Sequence, residues 1–477
     1  MPSLLILVPL VGILVLNFLF KLVVRRAAFW FVLVLFATQA VITFLHAPFF
    51  YAGSADRLNP FFKVVFNVDG ISFVALLCIE IVCLASLVVA RYTLHDLNQR
   101  FNFTNLLLIS SIGMNGMVLT SDIFSLYVFL EVAAVSSFIM IAFRRGKRSL
   151  EGAFKYIILS AVATVLMLAA IALFLLACSD TSFAAIRHGM GQSPHSNIIL
   201  FAVGMFVSGL FIKAGLVPFH AWLPDAYSAA PDAVSVLLAG IVTKACGIYA
   251  LIRLVVSVFG FSPGLNQVIL LLGAVSVLAG ALAALGQNDF KRMLSYSSIS
   301  QIGYIALGLG SGTALGVAGA VFHFFNHAIF KSLLFVNSAA VAEEAHTTDM
   351  DKMGGLSSRM PVTGSTSVIG FLSAAGIPPL AGFWSKLVII IALWKAGDIA
   401  YAVIAVLASI LTLSYLLSMQ RRVFFGRLRQ GLEDAKEVGA GFALISVFLA
   451  LIIIACGLLF PLVFNAIYAS VKQILIQ

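Results

Sequence analysis

The chain has 477 residues, 62% of them hydrophobic and only 10% charged, whereas a soluble domain carries about a quarter charged residues. That composition excludes a soluble fold. The net charge of +10 comes from basic residues dispersed in short runs between apolar segments, without the basic face and aromatic platforms of a nucleic-acid binder, so the expected surroundings are a lipid bilayer and no nucleic acid.

Crossing about 30 Å of hydrocarbon at 1.5 Å per residue takes roughly 20 apolar residues. The chain opens Met1-Pro2-Ser3 and runs straight into an apolar stretch, without the charged region and cleavage site of a signal peptide, so the first span is read from its start. Apolar windows then fall at 3–20, 28–46, 71–90, 104–120, 122–143, 156–178, 197–217, 233–257, 266–286, 298–312, 315–338, 364–394 with a break, 401–420 and 442–466. The pattern predicts an all-α integral membrane protein of about 14 transmembrane helices, forming a single polytopic domain over 1–477. The longest polar connectors are 339–363 and 421–440. The five cysteines lie in or beside apolar stretches without C-x-x-C spacing, which reads as small buried hydrophobes and gives no metal or dithiol motif.

Loop charge provides an independent count. Lys21, Arg25, Arg26, Arg91, Arg100, Arg144, Arg145, Lys147, Arg148, Lys291, Arg292, Lys352, Arg359, Arg421, Arg422, Arg427, Arg429 and Lys436 gather on one face of the predicted topology. Only Arg57, Lys63, Arg187, Arg253, Lys395 and Lys472 fall on the other, an asymmetry of about three to one that supports an even number of spans and puts both termini outside. Lys155, Lys213, Lys244, Lys331 and Lys386 remain, within or at the ends of spans.

Two spans carry internal prolines: GLVPFHAWLPDA after Lys213 and AAGIPPLAGFWSK before Lys386. Proline removes a backbone donor and clashes with the preceding turn, freeing carbonyls that need polar partners or water. Such breaks in the seventh and twelfth spans, an odd offset apart, are the pattern of a transporter with inverted repeats and mid-membrane ion sites.

Glu131 sits near the middle of its span, where a carboxylate must be paired or hydrated and marks an ion path. Lys244 lies about 16 Å from either end of its span, beyond the reach of its stem. His323, His327 and Lys331 follow at i, i+4 and i+8, one helical stripe of about 12 Å. The two histidines lack the intervening Glu and the third ligand of a zinc site, and read better as a proton relay, because imidazole both accepts and donates near neutral pH. A lysine beside an ionised glutamate holds its proton more firmly than one without, so a changing Glu131 to Lys213 distance would switch proton loading.

At these residues the chain resembles the antiporter-like membrane subunits shared by respiratory complex I (NADH:quinone oxidoreductase), membrane-bound NiFe hydrogenase and formate hydrogenlyase complexes, and Mrp-type Na+/H+ antiporters. The resemblance covers roughly 100–390 and rests on KAGLVPFHAWLPDAYSAAPDAVSVLLAGIVTKACGIYALIR, QNDFKRMLSYSSISQIGYI, HFFNHAIFKSLLF and GIPPLAGFWSK. It implies two inverted five-helix repeats, 104–257 and 266–420, with discontinuous helices 7 and 12. It also implies proton translocation through Glu131, Lys213, Lys244, His323, His327, Lys331 and Lys386, without a cofactor. Lys386 departs from members with glutamate there, and Asp232 stands where a small or hydroxyl residue is common. The resemblance further implies other membrane subunits as partners, further antiporter-like subunits among them, in a bacterial or archaeal cell membrane. Two functions stay open: a pumping subunit of a redox-driven complex without a redox site of its own, and an Mrp-type subunit without redox coupling, the ion being H+ or Na+.

Overall fold

The computed structural model describes residues 2–20, 25–47, 54–57, 65–192 and 197–476. Lys21 and Lys63, assigned above to opposite faces, lie outside these residues. The chain forms helices α1 (Leu4–Val15), α2 (Arg25–Leu45), α3 (Gly70–Thr93), α4 (Leu97–Leu119), α5 (Ile123–Ile141), α6 (Lys147–Cys178) and α7 (Phe183–Gln192). There follow α8 (Asn197–Ala214), α9 (Trp222–Ala229), α10 (Asp232–Phe259), α11 (Pro263–Leu285), α12 (Phe290–Gly310) and α13 (Ala314–Ala345). The last are α14 (Pro361–Ala375), α15 (Ala381–Ala396), α16 (Ile399–Val423), α17 (Ala440–Leu458) and α18 (Phe460–Ile476). The only described strands form an antiparallel pair, β1 (Ser54–Arg57) with β2 (Val65–Val68), between α2 and α3. Helices dominate because lipid offers no hydrogen bonds, so each span must satisfy its own backbone.

Among the described residues ten helices are long and apolar enough to cross a membrane. The most apolar windows of α10 and α13 are wholly buried, so these two form the axis of the bundle. α6 and α16 lie at its rim and expose Phe154, Val165 and Leu176, and Val403 and Ile410. The helices begin where short polar side chains cap them: Asp69 accepts from the Ser72 amide, Asp96 from Asn98 and Gln99, and Thr313 from Gly316.

Several helices depart from the apolar windows. α4 and α12 start several residues early, at Leu97 and Phe290, because Asp96 and Asp289 cap them within polar sequence, which is exposed at the start of α4 and packs against protein at the start of α12. α13 runs on to Ala345 through sequence predicted as connector. The window 442–466 is two helices, α17 and α18, parted at Leu459.

Both proline-bearing spans are interrupted. α8 ends at Gly215, whose φ of +69° lets its amide reach the Ile212 carbonyl while Leu216 reaches Phe211. α14 ends in the same way at Gly376, φ +86°, with Gly376 bonded to Ser373 and Ile377 to Leu372. The following peptides Val217-Pro218 and Pro378-Pro379 are both cis.

A second arrangement also occurs twice. Ahead of α5, the Ile123 amide donates to the Thr181 carbonyl and the Phe183 amide to Ser121, while the Thr181 hydroxyl donates to Asp122. Ahead of α12, Phe290 donates to Thr348 and Met350 to Asn288, while the Thr348 hydroxyl donates to Asp289.

Candidate functional site

α8 delivers Lys213 on its last turn, where the carbonyl end of the helix favours a cation. The Lys213 ammonium donates to Glu131 Oε1 at 2.8 Å and to Ser160 Oγ at 2.6 Å. Thr164, one turn along α6 from Ser160, donates to the same glutamate oxygen at 2.7 Å. The Lys213 side chain is 1% exposed, so it does not snorkel, whereas Glu131 is 23% exposed. Trp222 of α9 stacks on Tyr156 at 4.3 Å, and its indole donates to the Ile212 carbonyl, which also accepts the Gly215 amide at the break.

α10 places Lys244 wholly inside the bundle. Around it the helix opens into wider π turns at Leu238–Val242 and Lys244–Tyr249, and its ammonium donates to the Ala239 carbonyl. Gly247 allows the approach to α8, because a Cβ there would overlap the Ala214 backbone. Among the described residues Lys244 has no direct hydrogen bond to Lys213 or His327.

On α13 the His323 and His327 rings are nearly parallel at 6.2 Å. His323 Nδ1 contacts Ser385 Oγ at 2.8 Å, while His323 Nε2 and both nitrogens of His327 are buried without a protein partner. Unmet ring nitrogens at this depth are places for water. Lys331 bonds the Leu294 carbonyl and Ser297 Oγ, and Ser297 shares a 2.7 Å hydrogen bond with Tyr415. Lys386 on α15 donates to the Ala374 carbonyl at the broken end of α14 and lies 4.6 Å over the Tyr304 ring, itself 5.7 Å from His323. The seven residues thus fall into two bonded or stacked groups, Glu131–Lys213 and Lys386 with Tyr304 and the α13 stripe, with Lys244 on the axial helix.

The structure adds ion pairs, and one buried carboxylate, that sequence reasoning missed. Asp232 accepts from Lys291 and from Arg144, each at 3.1 Å, joining α10 to α12 and to the turn after α5. Asp225 accepts from Lys155 and Arg292 at 2.6 Å each, so Lys155 is an ion-pair partner at the rim. Arg253 of α10 pairs with Asp69. Glu80 is fully buried in α3. Its signal in the sequence is that of Glu131, a lone carboxylate in the middle of an apolar span.

This bundle is that of a polytopic membrane protein with broken helices around buried lysines and histidines. The family profile described as NADH:quinone oxidoreductase/Mrp antiporter, transmembrane region, matches residues 120–412, and the chain belongs to this family of antiporter-like membrane subunits. It is 32% identical to an Na+/H+ antiporter subunit of Alkalihalophilus pseudofirmus over 375 residues, 78% of this chain and 76% of that protein. It is 32% identical to the F420H2 dehydrogenase subunit M of Methanosarcina mazei over 96% of this chain and 94% of that one. A chain of respiratory complex I from Thermus thermophilus superposes with a TM-score of 0.82 at 28% identity, covering 98% of this chain and all of that one. The chain is therefore a multi-pass integral membrane protein with the antiporter-like fold of complex I.

Proposed function

We propose that the protein is the proton-translocating subunit of a redox-driven membrane complex of the NADH:quinone oxidoreductase or membrane-bound hydrogenase type. Protons pass through Glu131, Lys213, Lys244, His323, His327, Lys331 and Lys386. The observation that carries this reading is the Glu131–Lys213 pair, a 2.8 Å contact between a sealed lysine and a partly exposed carboxylate at the end of a broken helix. Lengthening that contact changes how firmly Lys213 holds its proton, which gives a coupled complex a handle on ion movement. Lys244 and the unmet histidine nitrogens then lead, through water, to Lys386.

The same reading takes the bundle as fourteen transmembrane helices with both termini outside, in a bacterial or archaeal cell membrane. Two inverted five-helix repeats run from α4 to α10 and from α11 to α16, close to 104–257 and 266–420, with α8/α9 and α14/α15 each counted as one broken helix and the 10-residue α7 left out. The recurring Schellman-capped breaks at Gly215 and Gly376 and the recurring Asp122 and Asp289 junctions support it. Relatives named as subunits of multisubunit enzymes support partners that include other membrane subunits. The relative named as an Na+/H+ antiporter subunit favours a second reading, an Mrp-type subunit exchanging Na+ for H+ without redox chemistry.

Inverted membrane vesicles carrying the native complex separate the two. Proton uptake that starts on adding NADH, H2, formate or reduced F420 and stops with donor exhaustion supports the redox reading. Na+/H+ exchange that is indifferent to all four donors supports the Mrp-type reading and overturns the first.

A further inference from the structure

Glu80 belongs to neither group of the translocation site. Its hydrogen-bond partner comes from α4, and that partner is linked in turn to α1 and α2. Asn115 Nδ2 on α4 donates to Glu80 Oε1 at 3.3 Å and to the Leu5 carbonyl of α1 at 2.9 Å. Gln39 Nε2 on α2 stands 3.5 Å from the same carbonyl. The remaining atoms of the cluster are sealed from solvent and lack any protein partner: Glu80 Oε2, Asn115 Oδ1, Gln39 Oε1, and Thr43 Oγ1 one turn beyond Gln39. Four helices therefore contribute to a cluster with four unmet oxygens, one of them on the Glu80 carboxylate. Among the described residues no Lys, Arg or His forms an ion pair with Glu80.

A proton on Glu80 would neutralise its charge but supply a single donor, leaving other acceptors unmet. A hard cation takes several oxygen ligands at once, and a single carboxylate balances one positive charge. A largely apolar groove of about 560 Å³ between α1 and α2 reaches Leu5, Gln39 and Thr43 of this cluster. We propose that Glu80, Asn115, Gln39 and Thr43 form a monovalent-cation site that takes Na+, with H+ as its competitor on the carboxylate.

The titratable surroundings are few. Cys83 lies one turn along α3, His46 ends α2 with its ring on the Ile42 carbonyl, and the groups contributed by α1 and α4 are neutral. The site is independent of the Glu131–Lys213 pair, so it stands or falls separately from the translocation reading.

Equilibrium binding of radioactive 22Na+ to the full chain in detergent tests it. Wild type is expected to bind Na+ saturably at alkaline pH and to lose affinity as pH falls. The isosteric Glu80→Gln is expected to abolish binding, Asn115→Leu to weaken it at least tenfold, and Glu131→Gln to leave it unchanged. Absence of saturable binding in wild type, or its persistence in Glu80→Gln, overturns the proposal. Should Glu80→Gln fail to fold, thermal unfolding of wild type in NaCl against choline chloride gives the same decision: Na+-specific stabilisation supports the site, and its absence refutes it. An infrared carboxylic-acid band assigned to Glu80 that ignores Na+ would mark a merely protonated structural carboxyl and equally overturn the cation site.

Discussion

Lys213 and Glu131 share one hydrogen bond but not one environment. The lysine is sealed inside the bundle, while almost a quarter of the carboxylate side chain remains exposed. Removing the lysine leaves a carboxylate that can draw on water and on Thr164; removing the glutamate strands an ammonium among apolar side chains with Ser160 as its remaining side-chain partner. Glu131→Ala should therefore lower the unfolding temperature of the detergent-solubilised chain more than Lys213→Met, although both should abolish pumping. Equal losses, or the reverse order, would show that the pair is not as one-sided as its burial. Asp232 obeys the same logic with two partners. Asp232→Ala leaves Lys291 buried without a counter-charge and should cost roughly 3–5 kcal/mol of stability, measured by denaturant or thermal unfolding, with Asp232→Glu recovering part of it.

At the scale of elements, the site depends on how closely α10 approaches the broken end of α8. Gly247 makes that approach possible, because any Cβ would overlap the Ala214 backbone. Gly247→Leu should displace the helix carrying Lys244 from the helix end carrying Lys213 and should reduce pumping at least tenfold while every ionisable residue stays in place; overpacking of this kind costs typically about 1–3 kcal/mol. Pumping at the wild-type rate in a folded Gly247→Leu protein would separate Lys244 from the path. Much of this level is legible in the sequence, since the apolar windows mark the spans and Pro218 and Pro379 mark the breaks. Other boundaries are hidden by packing: the polar first turn of α12 is helical because protein, not lipid, surrounds it, and α13 outruns its apolar stretch for the same reason, whereas the first turn of α4 is exposed and held by its Asp96 cap. Asp232 is visible as an oddity in the sequence, but its partners come from residues 144 and 291, and only the fold brings these together. The break between α17 and α18 is marked by Gly457 before it and Pro461 just after it, a signal that an apolar window alone passes over.

For the molecule as a whole, the axial helices α10 and α13 carry Lys244 and the His323–His327–Lys331 stripe, while α5 and α8 supply Glu131 and Lys213 on one side and α15 supplies Lys386 on the other. Lys244 is the ionisable residue on which the two groups depend if protons cross the bundle from one to the other. It is fully buried, and its one described hydrogen bond is within its own helix, so its replacement should leave the two groups intact. The decisive measurement is donor-driven proton uptake in inverted vesicles carrying the native complex with Lys244→Met, with assembly checked by recovery of the partner subunits. Loss of proton uptake with the Glu131–Lys213 pair retained is the predicted result. Uptake at the wild-type rate would contradict a path through the axial lysine.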